Sequence, residues 1–464
     1  MIDFKEIKGF YFVGIGGIGM SAIALYFVKE GFLVGGYDRT ETKITTSLTG
    51  NGCRINFDDN VDSMPEIFRN FGEKDKVIVV YTPAIPVENK ILSFFRENDY
   101  TTLKRSEILG AISSNTEALA ISGTHGKTTV STMTAHIFKQ SHVDCSAFLG
   151  GISKNYESNL LLGKSKFTVI EADEFDRSFH RLTPTIAAVT SLDADHLDIY
   201  GDRKTMVEAY NIFCGKIKKG GKLVVNSKVK NEIIVPDGVT GYTYGVDDES
   251  DFHAFNIRHL PDGYRFNIKT PWDSFEDIFF PFPGVINIEN FTVASAIAIL
   301  CGVKGSEIRN AAASFQGVRR RFDIRVNMQG ITYIDDYAHH PEEIKAFVKS
   351  IRKYFKGRKI TGIFQPHLFT RTRDHADGFA ATLDELEETI LLPIYPAREK
   401  PLEGVSSEMI LERMKSENKR LIKKEDLVAV LDISKLDVLL TIGAGDIDTL
   451  VDPIEEKIRG IVKE

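Results

Sequence analysis

The 464-residue chain has only four cysteines, Cys53, Cys145, Cys214 and Cys301, and no two of them form a CxxC pair. That argues against a local zinc site and a disulfide framework, and it suits a reducing cytoplasm, the expected location. No apolar run approaches the roughly 20 residues needed to cross a bilayer, so no membrane insertion is expected. The first residues, MIDFKEIKGFYFVGIGG, lack the basic start, apolar core and small-residue cleavage site of a signal peptide. Repeats, low-complexity tracts and long flexible linkers are absent. So is a cationic excess: 58 Lys plus Arg stand against 65 Asp plus Glu, a net charge of −7. A general nucleic-acid coat is thereby excluded, and no nucleic-acid partner is expected; net charge is compatible with a local cationic pocket for phosphates. No GxSxG or Cys-centred motif offers a protein nucleophile.

What is present is ordinary in amount and informative in order. Hydrophobic residues make up 42% and charged residues 27%, close to globular usage, which excludes wholesale disorder. At roughly 150 residues per domain, the length suggests about three domains. Residues 9–13 read as a buried strand, followed by a glycine turn and an apolar helix to about residue 30. Residues 32–37 and 77–81 read as further strands. This strand–helix alternation implies right-handed βαβ units and a parallel sheet. A second block opens with a strand at 118–122, a glycine turn and a helix over about 127–140, then strands at 167–172, 186–192 and 223–226. Between 251 and 283 the pattern turns antiparallel around Pro261-Asp262-Gly263, which predicts a hairpin. A helix is expected over 288–300, and the basic stretch 316–322 reads as a junction. A third α/β block has strands at 331–334, 360–364, 390–394 and 438–442. Pro341 opens a helix whose apolar face is Ile344, Phe347, Val348 and Ile351.

Several motifs can carry chemistry. Gly14, Gly16, Gly17 and Gly19 spell GxGxxG between a strand and a helix, where backbone amides come against a diphosphate, and Asp38 ends the next strand at the place of a ribose-binding acid. The run does not say which nucleotide; an NAD site and an unliganded tight turn compete. The SGTHGKTT run is more specific. Gly123, Thr124, His125, Gly126, Lys127, Thr128 and Thr129 join a strand to a helix, with Lys127 able to reach β/γ-phosphate oxygens and Thr128 able to ligate Mg²⁺. Ile121 stands where the full phosphate-loop pattern has glycine, so this is a shortened variant, read as an ATP site. Glu171 ends the next strand, followed by Asp173, Glu174 and Asp176, where a Mg²⁺ ligand is needed. His196, among Asp193, Asp195 and Asp198, marks a second metal position. Asn287 and Asn290 at the expected helix start read as caps. Arg319, Arg320 and Arg321 read either as a solvated patch or as a reach towards a γ-phosphate. Asp335, Asp336, Tyr337, His339 and His340 precede Pro341, and Gln365, His367, Arg371 and Arg373 follow the next strand. Paired His and Arg at adjacent strand ends suit an anionic carboxylate substrate, with helix capping by His-His-Pro the alternative.

Eight runs in this order carry a resemblance: GIGGIGMSAIA from Gly14, SGTHGKTT from Ser122, EADEFDRSF from Glu171, DADHLDIYGD from Asp193, GVRRRFD from Gly317, DDYAHHPEEI from Asp335, QPHLFTRTRD from Gln365 and GAGDI from Gly443. Together they resemble the Mur ligases, ATP-dependent amide-forming enzymes of peptidoglycan synthesis, over essentially the whole chain. The resemblance implies an α/β protein of three domains. Residues 1–104 would be a Rossmann-like domain holding a UDP-sugar through Gly14, Gly16, Gly17, Gly19 and Asp38. Residues 105–318 would be a central phosphate-loop ATPase with a parallel sheet and a small antiparallel part. Residues 319–464 would be a Rossmann-like domain for the amino acid. Lys127 would hold the ATP phosphates; Thr128, Glu171 and His196 would serve two magnesium ions. Asn290 would contact adenine and Arg320 the γ-phosphate, while Asp336, Tyr337, His339, His340, Arg371 and Arg373 would position the amino acid and an acyl phosphate. The family commonly has His-Asn after Gly284; here Ile286 takes the His position, and Asn287 and Asn290 remain. HLDIYGD and GAGDI favour addition of L-alanine to UDP-N-acetylmuramate over addition of a recycled tripeptide. The expected state is a monomer or weak homodimer.

Overall fold

In the computed structural model, which describes residues 4–461 other than 83, 87, 194–196, 329 and 398, the strand Gly9–Val13 (β1) is buried at every position. Such a strand must be covered on both faces. Phe10 and Phe12 join one apolar cluster, and Tyr11 and Val13 join another. With Leu33–Tyr37 (β2), Arg54–Asn56 (β3), Val77–Tyr81 (β4) and Thr101–Lys104 (β5), β1 forms an all-parallel sheet in the order β3-β2-β1-β4-β5. The order reverses beside β1, so the glycine turn after it opens at the crevice where doubly wound sheets take ligands.

The central sheet has ten strands: Glu117–Ser122 (β6), Ser146–Ser153 (β7), Ser158–Leu161 (β8), Phe167–Glu171 (β9), Ile186–Val189 (β10), Lys222–Asn226 (β11), Thr240–Val246 (β12), Phe252–Leu260 (β13), Gly263–Lys269 (β14) and Ser274–Phe280 (β15). They lie in the order β15-β14-β13-β12-β11-β10-β6-β9-β7-β8. Pairing is parallel from β13 to β7 and antiparallel at β8, β14 and β15. The expected hairpin forms at Pro261-Asp262, between β13 and β14. At the other end of β14, in the turn before β15, Trp272 is 63% exposed, its ring 6.1 Å from both Tyr242 and Phe252. The first two sheets share a core. One apolar cluster runs from Phe10, Phe12 and Phe27 to Ile170, Val189 and Val225, and the Asn159 amide donates to the Ile18 carbonyl at the start of the helix Ile18–Lys29.

Two compact units result, Met1–Gln316 and Gly317–Glu464. The second is built on Asp323–Met328 (β16), Ile331–Asp336 (β17), Ile360–Phe364 (β18), Glu388–Leu391 (β19), Lys419–Leu421 (β20) and Val438–Ile442 (β21), in the order β16-β17-β21-β18-β19-β20. Only β16 is antiparallel. Apolar side chains fill both faces, Ile334, Phe364 and Leu440 on one and Tyr333, Ile363 and Leu439 on the other.

Several expectations shift: the strand foreseen at 186–192 ends at Val189, and that at 331–334 runs on to Asp336. The strand foreseen at 390–394 lies at Glu388–Leu391; Pro393 has no N–H to continue the ladder. The helix foreseen at 288 begins at Val285, with Gly284 as its N-cap. Asn287 and Asn290 therefore lie inside the helix and do not cap it. Among the described residues no helix is long and apolar enough to cross a membrane.

Candidate active site

The phosphate-loop run leaves the end of β6, at the middle of the central sheet, and enters the helix Lys127–Lys139. The turn needs two glycines. Gly123 and Gly126 have φ of +136° and +83°, and a Cβ on Gly123 would fall 2.0 Å from the Thr190 hydroxyl oxygen. Thr124 and His125 donate their amides to the Ser191 carbonyl and hydroxyl at 3.2 and 2.8 Å. Those two amides, expected to face phosphate, are thus engaged within the protein. The His125 ring stands 3.6 Å from the Asp193 carboxylate.

Lys127 donates to the Gly123 carbonyl at 2.7 Å, the Thr124 carbonyl at 3.3 Å and Glu174 Oε1 at 2.7 Å. Burial alone would lower this ammonium, but Glu174, with Glu171 and Asp173 beyond, outweighs it and holds Lys127 above its ordinary value. Glu174, 1% exposed, is pushed up to about 7 by burial against the pull of Lys127. It belongs to the acidic run read as metal ligands, yet it is the lysine's counter-charge.

Glu171, at the end of β9, accepts from Thr128 Oγ1 at 3.1 Å, from Ser131 Oγ at 3.4 Å and from the Gly150 amide at 3.2 Å. A Cβ on Gly150 would lie 2.3 Å from both carboxylate oxygens, so glycine there makes room for the acid. Thr128 and Glu171, two of the three residues read as metal ligands, are thus neighbours. His196, the third, lies outside the described residues, as does Asp195. Asn290 packs its Oδ1 against Gly126, 3.0 Å from where a Cβ would stand. Its amide donates to Asn287 Oδ1 at 3.3 Å, and Asn287 donates to the Pro283 carbonyl at 2.6 Å. Ile286, in the same first turn, is 53% exposed.

At the first glycine turn, Asp38 accepts from the Gly16 amide at 2.8 Å and the Thr40 amide at 3.2 Å. Arg105, which follows β5, lies against Gly19 and donates to Asp173 at 2.9 Å. The sequence offers no motif that singles Arg105 out.

In the second unit the predicted residues divide. Arg320 donates through Nε to the fully buried Asp335 at 3.2 Å and also to the Gly443 carbonyl, and its guanidinium covers the Tyr337 ring, with Arg321 also on that ring. Asp336 accepts from the Phe322 amide at 2.7 Å and the Ala338 amide at 2.8 Å, and burial raises it to about 6. Tyr337, His339, His367 and Tyr395 form a chain of rings, with successive centroids 5.4, 6.0 and 5.8 Å apart. Arg371 stands 3.4 Å from His367 Nδ1. Burial lowers His339, against Glu343. His340 is the N-cap of the helix Pro341–Tyr354, so the capping alternative holds for this residue. Arg373, exposed, pairs with its neighbour Asp374 at 2.7 Å.

Comparison with known proteins agrees across the chain. Residues 9–116 match the model for "Mur ligase family, catalytic domain", 121–298 the "Mur ligase middle domain", and 320–445 the "Mur ligase, glutamate ligase domain". A UDP-N-acetylmuramate–L-alanine ligase of Parabacteroides distasonis is 47% identical over 98% of both chains. One from Porphyromonas gingivalis is 46% identical over 98% of this chain and 99% of its own. Among solved structures, a UDP-N-acetylmuramate-alanine ligase from Thermotoga maritima superposes with a TM-score of 0.82 at 26% identity, covering 98% of this chain and 99% of that one. A murein peptide ligase from Psychrobacter arcticus, 20% identical with a TM-score of 0.73 over 97% and 98%, shares the fold. With matching segments in the same order from residue 9 to residue 445 and relatives aligned end to end, the chain belongs to the Mur ligase family.

Proposed function

We propose that the chain joins L-alanine to the lactyl carboxylate of UDP-N-acetylmuramate, converting ATP to ADP and phosphate, as a step in making peptidoglycan precursors. The observation that carries this reading is the full-length match, at 41–47% identity, to proteins named for that reaction. ATP and UDP-sugar as substrates, together with cysteines present as free thiols, suit a cytoplasmic setting.

A carboxylate and an amine do not condense in water until the carboxylate gains a leaving group. The lactyl oxygen attacks the γ-phosphorus, the bond to the β–γ bridging oxygen breaks, and ADP departs. The neutral L-alanine amine then attacks the acyl carbon, phosphate leaves, and the nitrogen loses a proton. Both nucleophiles come from substrates, in keeping with a chain that has no nucleophile motif. Lys127 reaches the phosphates by exchanging Glu174 and the loop carbonyls for phosphate oxygens, and Asn290, packed against Gly126, contacts the adenine in this reading. Thr128 and Glu171 fit Mg²⁺. They are hard oxygen donors that already lie 3.1 Å from one another, the donor type that Mg²⁺ takes alongside phosphate and water. With Mg²⁺ held by these two side chains, charge on the transferring phosphoryl group would be neutralised. His196 serves a second ion in this reading. Arg371, with His339 and His367, takes the amino-acid carboxylate. Arg320 remains the candidate for charge developing at the γ-phosphate, a role that requires it to release Asp335 and the Gly443 carbonyl.

The test is phosphate release by purified protein with Mg·ATP and UDP-N-acetylmuramate. L-alanine should trigger release. Release triggered only by a tripeptide overturns the L-alanine assignment, and release independent of the UDP-sugar overturns the ligase.

A further inference from the structure

Arg105 occupies a place that the motifs do not explain. It is the first residue of the helix Arg105–Ser114, directly after β5, and its side chain is 23% exposed. One end of its guanidinium, Nη1, lies against Gly19: a Cβ there would be 2.4 Å away. The other end, Nη2, donates to Asp173 at 2.9 Å, two residues past Glu171. Arg105 thus spans the distance between the glycine turn of the first sheet and the acidic strand end of the second. It lines a crevice with Ser106, Leu109, Glu171 and Asp173.

We infer that Arg105 binds the carboxylate of the sugar substrate and aims it at the γ-phosphate; this rests on the reaction proposed above. In that reaction the sugar's diphosphate lies on the first glycine turn and ATP on the second, and the reacting carboxylate must lie between them. An anion entering there meets Glu171 and Asp173 in the crevice wall, and Coulomb repulsion from these would drive it away. A cation is therefore needed at the midpoint, and guanidinium is suited to carboxylate because its planar fork donates two parallel hydrogen bonds. Nη2 is engaged by Asp173, which leaves Nη1, the end turned towards Gly19 and the first glycine turn, to meet the substrate carboxylate in this proposal. Glycine at 19 keeps that approach open.

Direct binding measurements with UDP, UDP-N-acetylglucosamine and UDP-N-acetylmuramate separate the outcomes, since only the third carries the carboxylate. The wild-type protein should bind UDP-N-acetylmuramate more tightly than UDP-N-acetylglucosamine. Arg105→Ala should weaken the acid-bearing sugar by about ten- to hundredfold, the worth of a charge-assisted pair, and leave the other two unchanged. Arg105→Lys should recover part of the loss. Equal weakening of all three ligands would assign Arg105 to the diphosphate and overturn the carboxylate role. A lowered melting temperature with the carboxylate preference intact would make the Asp173 pair merely structural and overturn it as well. If the wild-type protein binds none of the three, the proposed reaction itself falls, and the role of Arg105 with it.

Discussion

Lys127 is held on its loop by a carboxylate that is almost wholly buried, so removing either charge strands the other. Lys127→Ala should cost activity about 100- to 1000-fold through lost charge stabilisation. It should also destabilise the first unit by about 3 kcal/mol, the usual cost of leaving one member of a buried pair alone. Adding Glu174→Gln should restore most of the stability and none of the activity, a split that urea titration and phosphate release would read together. Glu171 makes a second case. Gly150→Ala should push the carboxylate off Thr128 and raise the Mg²⁺ concentration needed for half-maximal turnover at least about tenfold, since ligand geometry governs Mg²⁺ affinity; an unchanged Mg²⁺ requirement would contradict the assignment. At this scale the sequence was informative where a residue type is demanded locally, as with glycine at 123 and 126. It was uninformative where function comes from distant segments meeting. Glu174 could be seen only as one acid among four, and Arg105, 68 positions from Asp173, carried no signal. Asn287 and Asn290 misled because a cap and a buried side chain one turn further on look alike in sequence.

Among the elements, the helix that begins at Lys127 also carries a titratable group in its last turn. His136, 1% exposed, lies between the Tyr156 hydroxyl at 2.9 Å and the Ser314 hydroxyl at 3.0 Å, joining the helix to segments on either side. Burial lowers it to about 4. The folded protein therefore keeps this ring neutral while the unfolded chain protonates it near 6.5. The contribution is fully present above pH 6.5 and is lost as pH falls towards 4, at about 1.4 kcal/mol per pH unit and about 3 kcal/mol in all. His136→Gln should remove that slope from the pH dependence of the urea midpoint, whatever its stability at pH 8. Most strands with continuous apolar runs, such as β1, β4, β18 and β21, were legible to the residue, because a strand buried on both faces leaves little choice of composition. The strands that were not legible lie mostly at edges or are interrupted. β7 contains Gly150-Gly151, β20 is the three residues Lys419–Leu421, and β16 alternates charge with aliphatic residues at the antiparallel rim. Short, charged edges protect a sheet from further pairing and by the same token hide from pattern reading.

The molecule as a whole divides where its cores do. The first two sheets share an apolar cluster, and the last has clusters of its own. Calorimetry should therefore resolve two unfolding transitions. Mg·ATP at 100 times its dissociation constant should stabilise the Met1–Gln316 transition by about 2.7 kcal/mol; a single transition would contradict the division. The exposed indole between β14 and β15 has a practical consequence. Trp272 is the chain's only tryptophan, and it meets water in the folded state much as it would in the unfolded one. Its emission should barely change as the phosphate loop fills or the second unit melts, so intrinsic fluorescence would report a silent protein in the middle of its chemistry. The same silence makes Trp272→Phe a dark background, in which one tryptophan placed near either glycine turn would give a signal belonging to that turn alone.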